Sequence, residues 1–211
     1  MISKTLSWEK EDSISIVFHS LSRGGLVVGS SDTVFGLLAN VTKEGFQSLN
    51  RAKGRYEKPY LILIGNKQVA HSLIENISLQ AEKLMDFWPA PLTLIFKAKK
   101  ELPDYMKTEQ GTIALRMPDH VGLLSLLKKI PMLFSTSANK TGEAVPCSIQ
   151  GIDQTILNAI DYIIIDGQQK EKETQPSTIL DCSGDGIKLV REGAFSIEEI
   201  EKAFNLVIQK K

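Results

Sequence analysis

The sequence has little of what many specialised chemistries need. Two cysteines, Cys147 and Cys182, are too few for a disulfide scaffold, and without a CxxC pair or a Cys/His cluster they make no zinc site. Three histidines, His19, His71 and His120, are scattered without metal-ligand spacing and read as surface or satisfied core residues. Charge of one sign is lacking too, since 25 Lys+Arg offset 25 Asp+Glu. A domain that grips nucleic acid along its whole surface is usually strongly basic, so that class is excluded. Apolar runs such as Tyr60–Ile64 and Tyr162–Ile165 are far too short to span a bilayer. Met1–Glu11 has no basic stretch followed by an apolar one. No membrane span or signal peptide is therefore expected, and a cytoplasmic setting is the default. The phosphate-loop, dinucleotide, nucleophile-elbow and zinc-protease motifs are all missing.

What is present is ordinary globular composition. With 211 residues, 42% hydrophobic and 24% charged, the chain is long enough for a real core and too apolar to be largely disordered. The most polar stretch, Gly167–Pro176, reads as a loop. A division there would leave a C-terminal piece too small for its own core, so residues 1–211 are expected to form one domain.

Helices and strands alternate. Ser13–Ser22 fits both periods and is taken as a helix, because Arg23-Gly24-Gly25 supplies a glycine terminus before a strand at Leu26–Gly29. Thr42 caps a helix running to about Ala52, Ser78 opens one that stops at Trp88-Pro89, and Asp119 caps one to Lys129. Strands are expected at Leu61–Ile64, Leu92–Lys97, Thr112–Leu115, Met132–Phe134, Tyr162–Ile165, Thr178–Asp181 and Ile187–Arg191. Ser196 and Glu199 form a capping box for a last helix. This pattern predicts an α/β fold, and the hairpin over 178–191 makes the sheet mixed.

Polar clusters stand where strands end, the usual place for ligands in α/β proteins. Ser30-Ser31-Asp32-Thr33 follows the first predicted strand and reads either as a ligand loop or as a simple turn. Lys53-Gly54-Arg55 with Lys58-Pro59 reads as a phosphate site or as a solvated helix terminus. Arg116, at the mouth of a buried strand, needs an anion, which is either a ligand carboxylate or an internal Asp/Glu. Ser135-Thr136-Ser137-Ala138-Asn139 with Thr141-Gly142 gathers more hydrogen-bonding groups than a structural loop needs. Ser177-Thr178, Arg191 and Gly193 close the series, while Trp88-Pro89-Ala90-Pro91 reads as a rigid corner.

The order and spacing of these clusters resemble the YrdC-type threonylcarbamoyl-AMP synthase family. The matching segments are SSDTVFGL at Ser30–Leu37, Lys53-Gly54-Arg55 with Lys58-Pro59, WPAPLT at Trp88–Thr93 and IALRMP at Ile113–Pro118. SANKTG at Ser137–Gly142, STILD at Ser177–Asp181 and VREG at Val190–Gly193 continue the series. The resemblance spans residues 10 to 205 and fits the single-domain members, without the additional C-terminal domain of some relatives. The chain departs from the family pattern at Ser30 and Ser31 (usually Pro-Thr), Phe35 (Tyr), Leu63 (often His) and Ala90 (Gly), and the stretch from Arg55 to Lys58 is one residue short.

The resemblance implies a single α/β domain of the YrdC/RibB-like kind, with a twisted mixed sheet flanked by helices around a deep cavity. It implies conversion of L-threonine, bicarbonate and ATP to threonylcarbamoyl-AMP and pyrophosphate, with Mg2+ carried by the nucleotide and the product passed to tRNA-modifying machinery. By the family pattern Lys53, Arg55 and Lys58 contact ATP phosphates, Lys53 and Arg55 being the catalytic pair. Thr112, Asn139, Cys147 and Arg191 contact the nucleotide. Arg116 holds the threonine carboxylate, and Thr33, Ser137 and Ser177 complete the amino-acid pocket. Two other readings are compatible with the departures: an RNA- or nucleotide-binding module without turnover, and adenylation of a different carbamate.

Overall fold

A computed structural model describes residues 4–54, 59–167, 175–204 and 208–210. In chain order these form β1 (Lys4–Ser7), α1 (Glu11–Ser22), β2 (Val27–Gly29), β3 (Gly36–Asn40), α2 (Lys43–Lys53), β4 (Leu61–Ile64), α3 (Lys67–Leu73), α4 (Leu79–Met85) and β5 (Leu92–Lys97). They continue with β6 (Thr112–Arg116), α5 (Val121–Leu127), β7 (Met132–Ser137), α6 (Gln154–Ala159), β8 (Tyr162–Ile165), β9 (Thr178–Gly184), β10 (Gly186–Arg191), α7 (Ile197–Phe204) and β11 (Gln209–Lys210).

The strands make one mixed sheet in the order β1-β8-β2-β3-β7-β4-β6-β5-β9-β10-β11. Successive strand residues face opposite sides, and this period of two sorts the apolar residues into two cores. Val28, Leu37, Ile62, Phe134 and Ile163 face one side, where Leu49 of α2, Ala70 of α3, Leu84 of α4 and Ile200 of α7 cover them. Their chain neighbours Val27, Leu38, Leu63, Leu133 and Ile164 face the other side, under Val17 and Leu21 of α1 and Leu123, Leu126 and Leu127 of α5. Each such buried leucine or isoleucine contributes about 1.5–3 kcal/mol.

The second layer stops halfway across the sheet. The buried core under α1 and α5 includes residues of β2, β3, β4, β7 and β8 but none of β5, β6 or β9. On that face β5 and β6 carry Thr93, Ile95, Ala114 and Arg116. No described helix covers them, and the uncovered half of the sheet is the floor of a cavity.

Several expectations shift. The helix expected at Ser13–Ser22 is present and starts at Glu11. The last helix begins as predicted, with Ser196 Oγ accepting the Glu199 N–H at 3.3 Å. The helix after β6 is capped by His120 rather than by Asp119, for it is the His120 ring that accepts the Leu123 N–H, at 3.1 Å. The strand expected at Met132–Phe134 runs on to Ser137, so Ser135, Thr136 and Ser137 belong to β7 and not to the loop after it. Strand β3 and helix α3 were not expected at all. Most of the predicted loop (168–174), together with Arg55 and Lys58, lies outside the described residues.

Candidate active site

The cavity has a volume of about 430 Å³, within the usual range for small-molecule sites. Its floor is a ribbon of cross-strand pairs. Gly36 of β3 lies opposite Ser137 of β7, and Leu38 opposite Ser135. Ser135 lies opposite Leu61 of β4, and Leu63 opposite Arg116 of β6. Ala114 lies opposite Ile95 of β5, and Thr93 opposite Ile179 of β9. All of these residues line the cavity.

Arg191 reaches the same cavity through an irregularity. Leu189 pairs with Leu180, so a regular antiparallel register would set Arg191 opposite Thr178; it pairs with Ile179 instead. The extra residue re-aims the strand, as β-bulges do. Arg191 then donates from Nε and Nη2 to the Ser177 carbonyl at 3.1 and 2.8 Å. Ser177 is buried, and its hydroxyl is 2.8 Å from that of Thr93. Gly193 makes this closure possible, because a Cβ there would lie 2.2 Å from the Pro176 carbonyl oxygen.

Arg116 is the least satisfied of the cavity's cations. It is 3% exposed. Nη1 donates to Thr33 Oγ1 at 3.0 Å, and Nη2 stands 3.6 Å from Asp32 Oδ1, beyond hydrogen-bond distance. Arg116 Nε and Asp32 Oδ1 are buried without a hydrogen-bond partner, whereas Asp32 Oδ2 accepts the Asp119 N–H at 3.2 Å. Burial lowers the Arg116 pKa, Asp32 pulls it back up, and the nearby Arg191 lowers it further. Burial lowers the pKa of Arg191 as well. Both choices open for Arg116 in the sequence are thus half realised: an internal carboxylate is nearby, and one guanidinium N–H remains unanswered.

Thr33, Arg116, Ser137, Ser177 and Arg191 therefore meet at one cavity. Lys53, Asn139, Thr112 and Cys147 do not line it. Gly54, at φ 61°, ends α2 and leaves the Lys53 side chain turned inward. Its ammonium donates to the Ser137 carbonyl at 2.8 Å, to the Asn139 carbonyl, and to Asn139 Oδ1 at 3.3 Å. Asn139 Oδ1 also accepts from Ser137 Oγ, and its Nδ2 donates to the Glu143 carbonyl at 2.6 Å. Lys53 and Asn139 thus organise the turn behind β7. Thr112 shares a strand face with Ala114 and Arg116 but sits at the other end of β6, roughly 13 Å from Arg116 at about 3.3 Å per residue. Its hydroxyl is 2.7 Å from that of Thr108. Cys147 is exposed, two residues from the lining residue Val145.

The sequence reading gave Thr93 no site role and placed Ser31 and Ser135 only within polar clusters, without a role of their own. Thr93 ends the WPAPLT segment, and the period of two in β5 would have put it on the Ile95 face. Ser135 needed the true length of β7.

The family model Sua5_yciO_yrdC, described as telomere recombination, matches residues 19–193. A protein of Methanocaldococcus jannaschii, provisionally named threonylcarbamoyl-AMP synthase, is 30% identical over 197 residues, covering 92% of each chain. The threonylcarbamoyl-AMP synthase of Pyrococcus abyssi is 32% identical over 197 residues, which are 92% of this chain and 57% of that protein. The crystal structure of P. abyssi Sua5 complexed with L-threonine superposes with a TM-score of 0.89 at 29% identity, covering all of this chain and 63% of the other. This chain thus spans under two thirds of the Pyrococcus protein. With its mixed sheet, its half-covered face and a family match across most of its length, the chain belongs to the Sua5/YciO/YrdC family.

Proposed function

We propose that this protein is a threonylcarbamoyl-AMP synthase, converting L-threonine, bicarbonate and ATP to threonylcarbamoyl-AMP and pyrophosphate. The observation that carries the reading is the buried Arg116 guanidinium at the cavity wall, with Nε unpartnered. A threonine carboxylate supplies the missing acceptor, and the hydroxyls of Thr33, Ser137 and Ser177 stand around the same space. The name of the Pyrococcus relative and its complex with L-threonine support the same assignment.

The chemistry asks little covalent work of the protein. Bicarbonate takes up a proton and loses water to give CO2, and the threonine amine adds to that CO2 and loses a proton, giving a carbamate. A carbamate oxygen attacks the α-phosphorus of ATP, the bond from that phosphorus to the bridging oxygen breaks, and pyrophosphate leaves. Two anions must be held against each other, so positioning and charge screening supply the rate. Arg191, on the Ser177 side, faces the nucleotide in this reading, while Arg55 and Lys58 take the phosphates. Lys53 reaches phosphate only by exchanging the Ser137 and Asn139 carbonyls for phosphate oxygens. In its present position it serves by holding the turn that carries Ser137. Asn139 acts through the same turn; Thr112 and Cys147 are given no direct part. Mg2+ would arrive on the nucleotide and screen its phosphates. Among the described residues no group of three or more His, Cys, Asp or Glu could hold a metal ion, so phosphate oxygens would be its principal ligands. Release of the adenylate to a tRNA-modifying partner in the cytoplasm completes the proposal.

The test is pyrophosphate release by purified protein with ATP, Mg2+ and bicarbonate, with and without L-threonine and with a panel of other amino acids. Threonine-dependent release is expected. Release with no amino-acid dependence, or with an unrelated amine alone, overturns the assignment.

A further inference from the structure

Four side chains outside the cavity form a network that the proposed chemistry does not use. The Asp166 carboxylate, just after β8, accepts from Ser30 Oγ at 2.8 Å and lies 3.1 and 3.2 Å from His120 Nε2. Ser30 Oγ in turn accepts from Trp8 Nε1 and from the Asp166 N–H, each at 3.2 Å. The Trp8 ring meets His120 edge to face at 5.5 Å between centroids. It is wedged so closely between β2 and α5 that a Cβ on Gly29 or Gly122 would strike it, at 2.9 and 2.7 Å.

The grouping of Ser, Asp and His is not a nucleophile relay. A relay needs the imidazole between the hydroxyl and the carboxylate, so that it can take the hydroxyl proton. Here the carboxylate stands between the other two. His120 Nδ1 accepts the Leu123 N–H, so that nitrogen carries no proton, and Nε2 is the donor to Asp166. Ser30 does not line the cavity.

The network's neighbours do line it. Ser31 and Thr33 follow Ser30 directly, and Asp32 between them faces Arg116. The same segment is held a second time by the Asp119 N–H on Asp32 Oδ2. A closed circuit results. Arg116 bonds Thr33, the chain leads back to Ser30, Ser30 bonds Asp166, Asp166 bonds His120, and four residues of chain return to Arg116. The Arg116–Thr33 contact and the His120–Asp166 bond are thereby links of one ring. Ser30 is also a point of departure from the family motif. A proline there could offer neither the hydroxyl nor the N–H that Ser30 donates to the Ile164 carbonyl at 3.0 Å.

We propose that His120 and Asp166 are positioning residues that set the 30–33 segment against Arg116 and so fix the amino-acid end of the cavity. The inference rests on the reading of that end as the L-threonine site.

His120→Asn separates the two jobs of this histidine. Asparagine is a strong helix N-cap and keeps an acceptor for the Leu123 N–H, but it is too short to reach Asp166. Asp166→Ala removes the bridge from the other side, and Asp166→Asn removes the charge and keeps one acceptor oxygen, while its Nδ2 is a donor facing either the Ser30 hydroxyl or the His120 N–H. Steady-state pyrophosphate release is measured for each variant over L-threonine and over ATP. The expected result is a rise in the threonine KM of about tenfold for His120→Asn and Asp166→Ala. The ATP KM and kcat should stay within about twofold, Asp166→Asn should recover only part of the loss seen with Asp166→Ala, and the double variant should be no worse than the worse single variant. An unchanged threonine KM, or equal losses for threonine and ATP, overturns the proposal, including where the melting temperature falls. A wild type with no threonine-dependent release overturns the functional reading instead, and this assignment with it.

Discussion

Arg116→Gln separates two things the guanidinium does at once. The side chain is 3% exposed and is the cation nearest Asp32, whose Oδ1 is buried without a hydrogen-bond donor. Removing the cation leaves a buried carboxylate held by the Asp119 N–H. Breaking a buried pair in this way costs about 3–5 kcal/mol of stability, read as a lower urea midpoint. The second loss is in binding. A charge-assisted hydrogen bond from the guanidinium to a ligand carboxylate is worth about 1.5–3 kcal/mol, or roughly 10- to 150-fold in affinity. Calorimetric titration with L-threonine reads that term separately from folding. The double variant Asp32→Asn/Arg116→Gln then decides between the roles. Neutralising Asp32 removes the orphaned charge, so stability should largely return. Threonine affinity should stay low, because no cation faces its carboxylate. If Arg116→Gln binds L-threonine within about twofold of the wild type, Arg116 is an internal partner of Asp32 and the carboxylate-anchor argument fails.

Three further outcomes follow from local geometry. Gly193→Ala places a Cβ 2.2 Å from the Pro176 oxygen and 2.6 Å from the Ser177 carbonyl carbon, both backbone atoms that cannot rotate away. A loss of about 1–3 kcal/mol in urea unfolding is expected, with a raised threonine KM because Ser177 and Arg191 move together; wild-type values for both would contradict the packing described. Burial, helped by Asp181, pushes the Cys182 thiol up to about 12, while Cys147 is exposed. A disulfide reagent at pH 8 should therefore label the native protein once, at Cys147, and reach Cys182 only after denaturation. Asp153 caps α6 and is held at about 2 by hydrogen bonds from the Thr155 side chain, Lys140 and the Thr155 N–H. Its folded pKa lies below the ordinary 3.8, so the stability it contributes is complete above that value and is lost as pH falls from about 4 towards 2. Asp153→Asn should flatten the acid limb of stability in that window, and an NMR titration should place the carboxyl near 2.

The parts legible in the sequence are those decided by local pattern. Leu61–Ile64 and Tyr162–Ile165 are continuous apolar runs and are buried strands. Thr42 and Ser78 cap the helices they were expected to cap. Strand β3 was illegible because Gly36-Leu37-Leu38-Ala39-Asn40 has a glycine at one end and an asparagine at the other, and its neighbours β2 and β7 supply the ladder. Tertiary pairing overrides weak propensity there. Asp119 and His120 could both cap α5, and the selection depends on where Asp166 and Asp32 stand, information carried by residues 46 and 87 positions away. The site divides in the same way. The clusters were visible as polar residues at strand ends, yet Thr112 has the right face and the wrong end of β6, and Lys53 points into the turn behind the cavity. The bulge that aims Arg191 has no sequence mark beyond its neighbours' register.

The balanced charge of the chain has a spatial reason. Several cations on the outer surface stand beside acids: Lys67 with Asp86, Lys129 with Glu11, and Lys140 with Asp153. The cavity is arranged otherwise. Arg116 and Arg191 are close enough to lower the Arg116 pKa by mutual repulsion, and the nearest acid, Asp32, is misaligned with the guanidinium it faces. Placing two guanidinium groups around one small, partly dry space is unfavourable until an anion enters, and the anion then gains what the empty site lacks. A polyanion could not collect that gain, because its phosphates would have to pass one by one into a space of about 430 Å³. A small carboxylate or the reacting end of a nucleotide can. Zero net charge is thus the sum of a cationic pocket and an exterior whose acids offset it, and the size of the pocket confines its attraction to small anionic substrates.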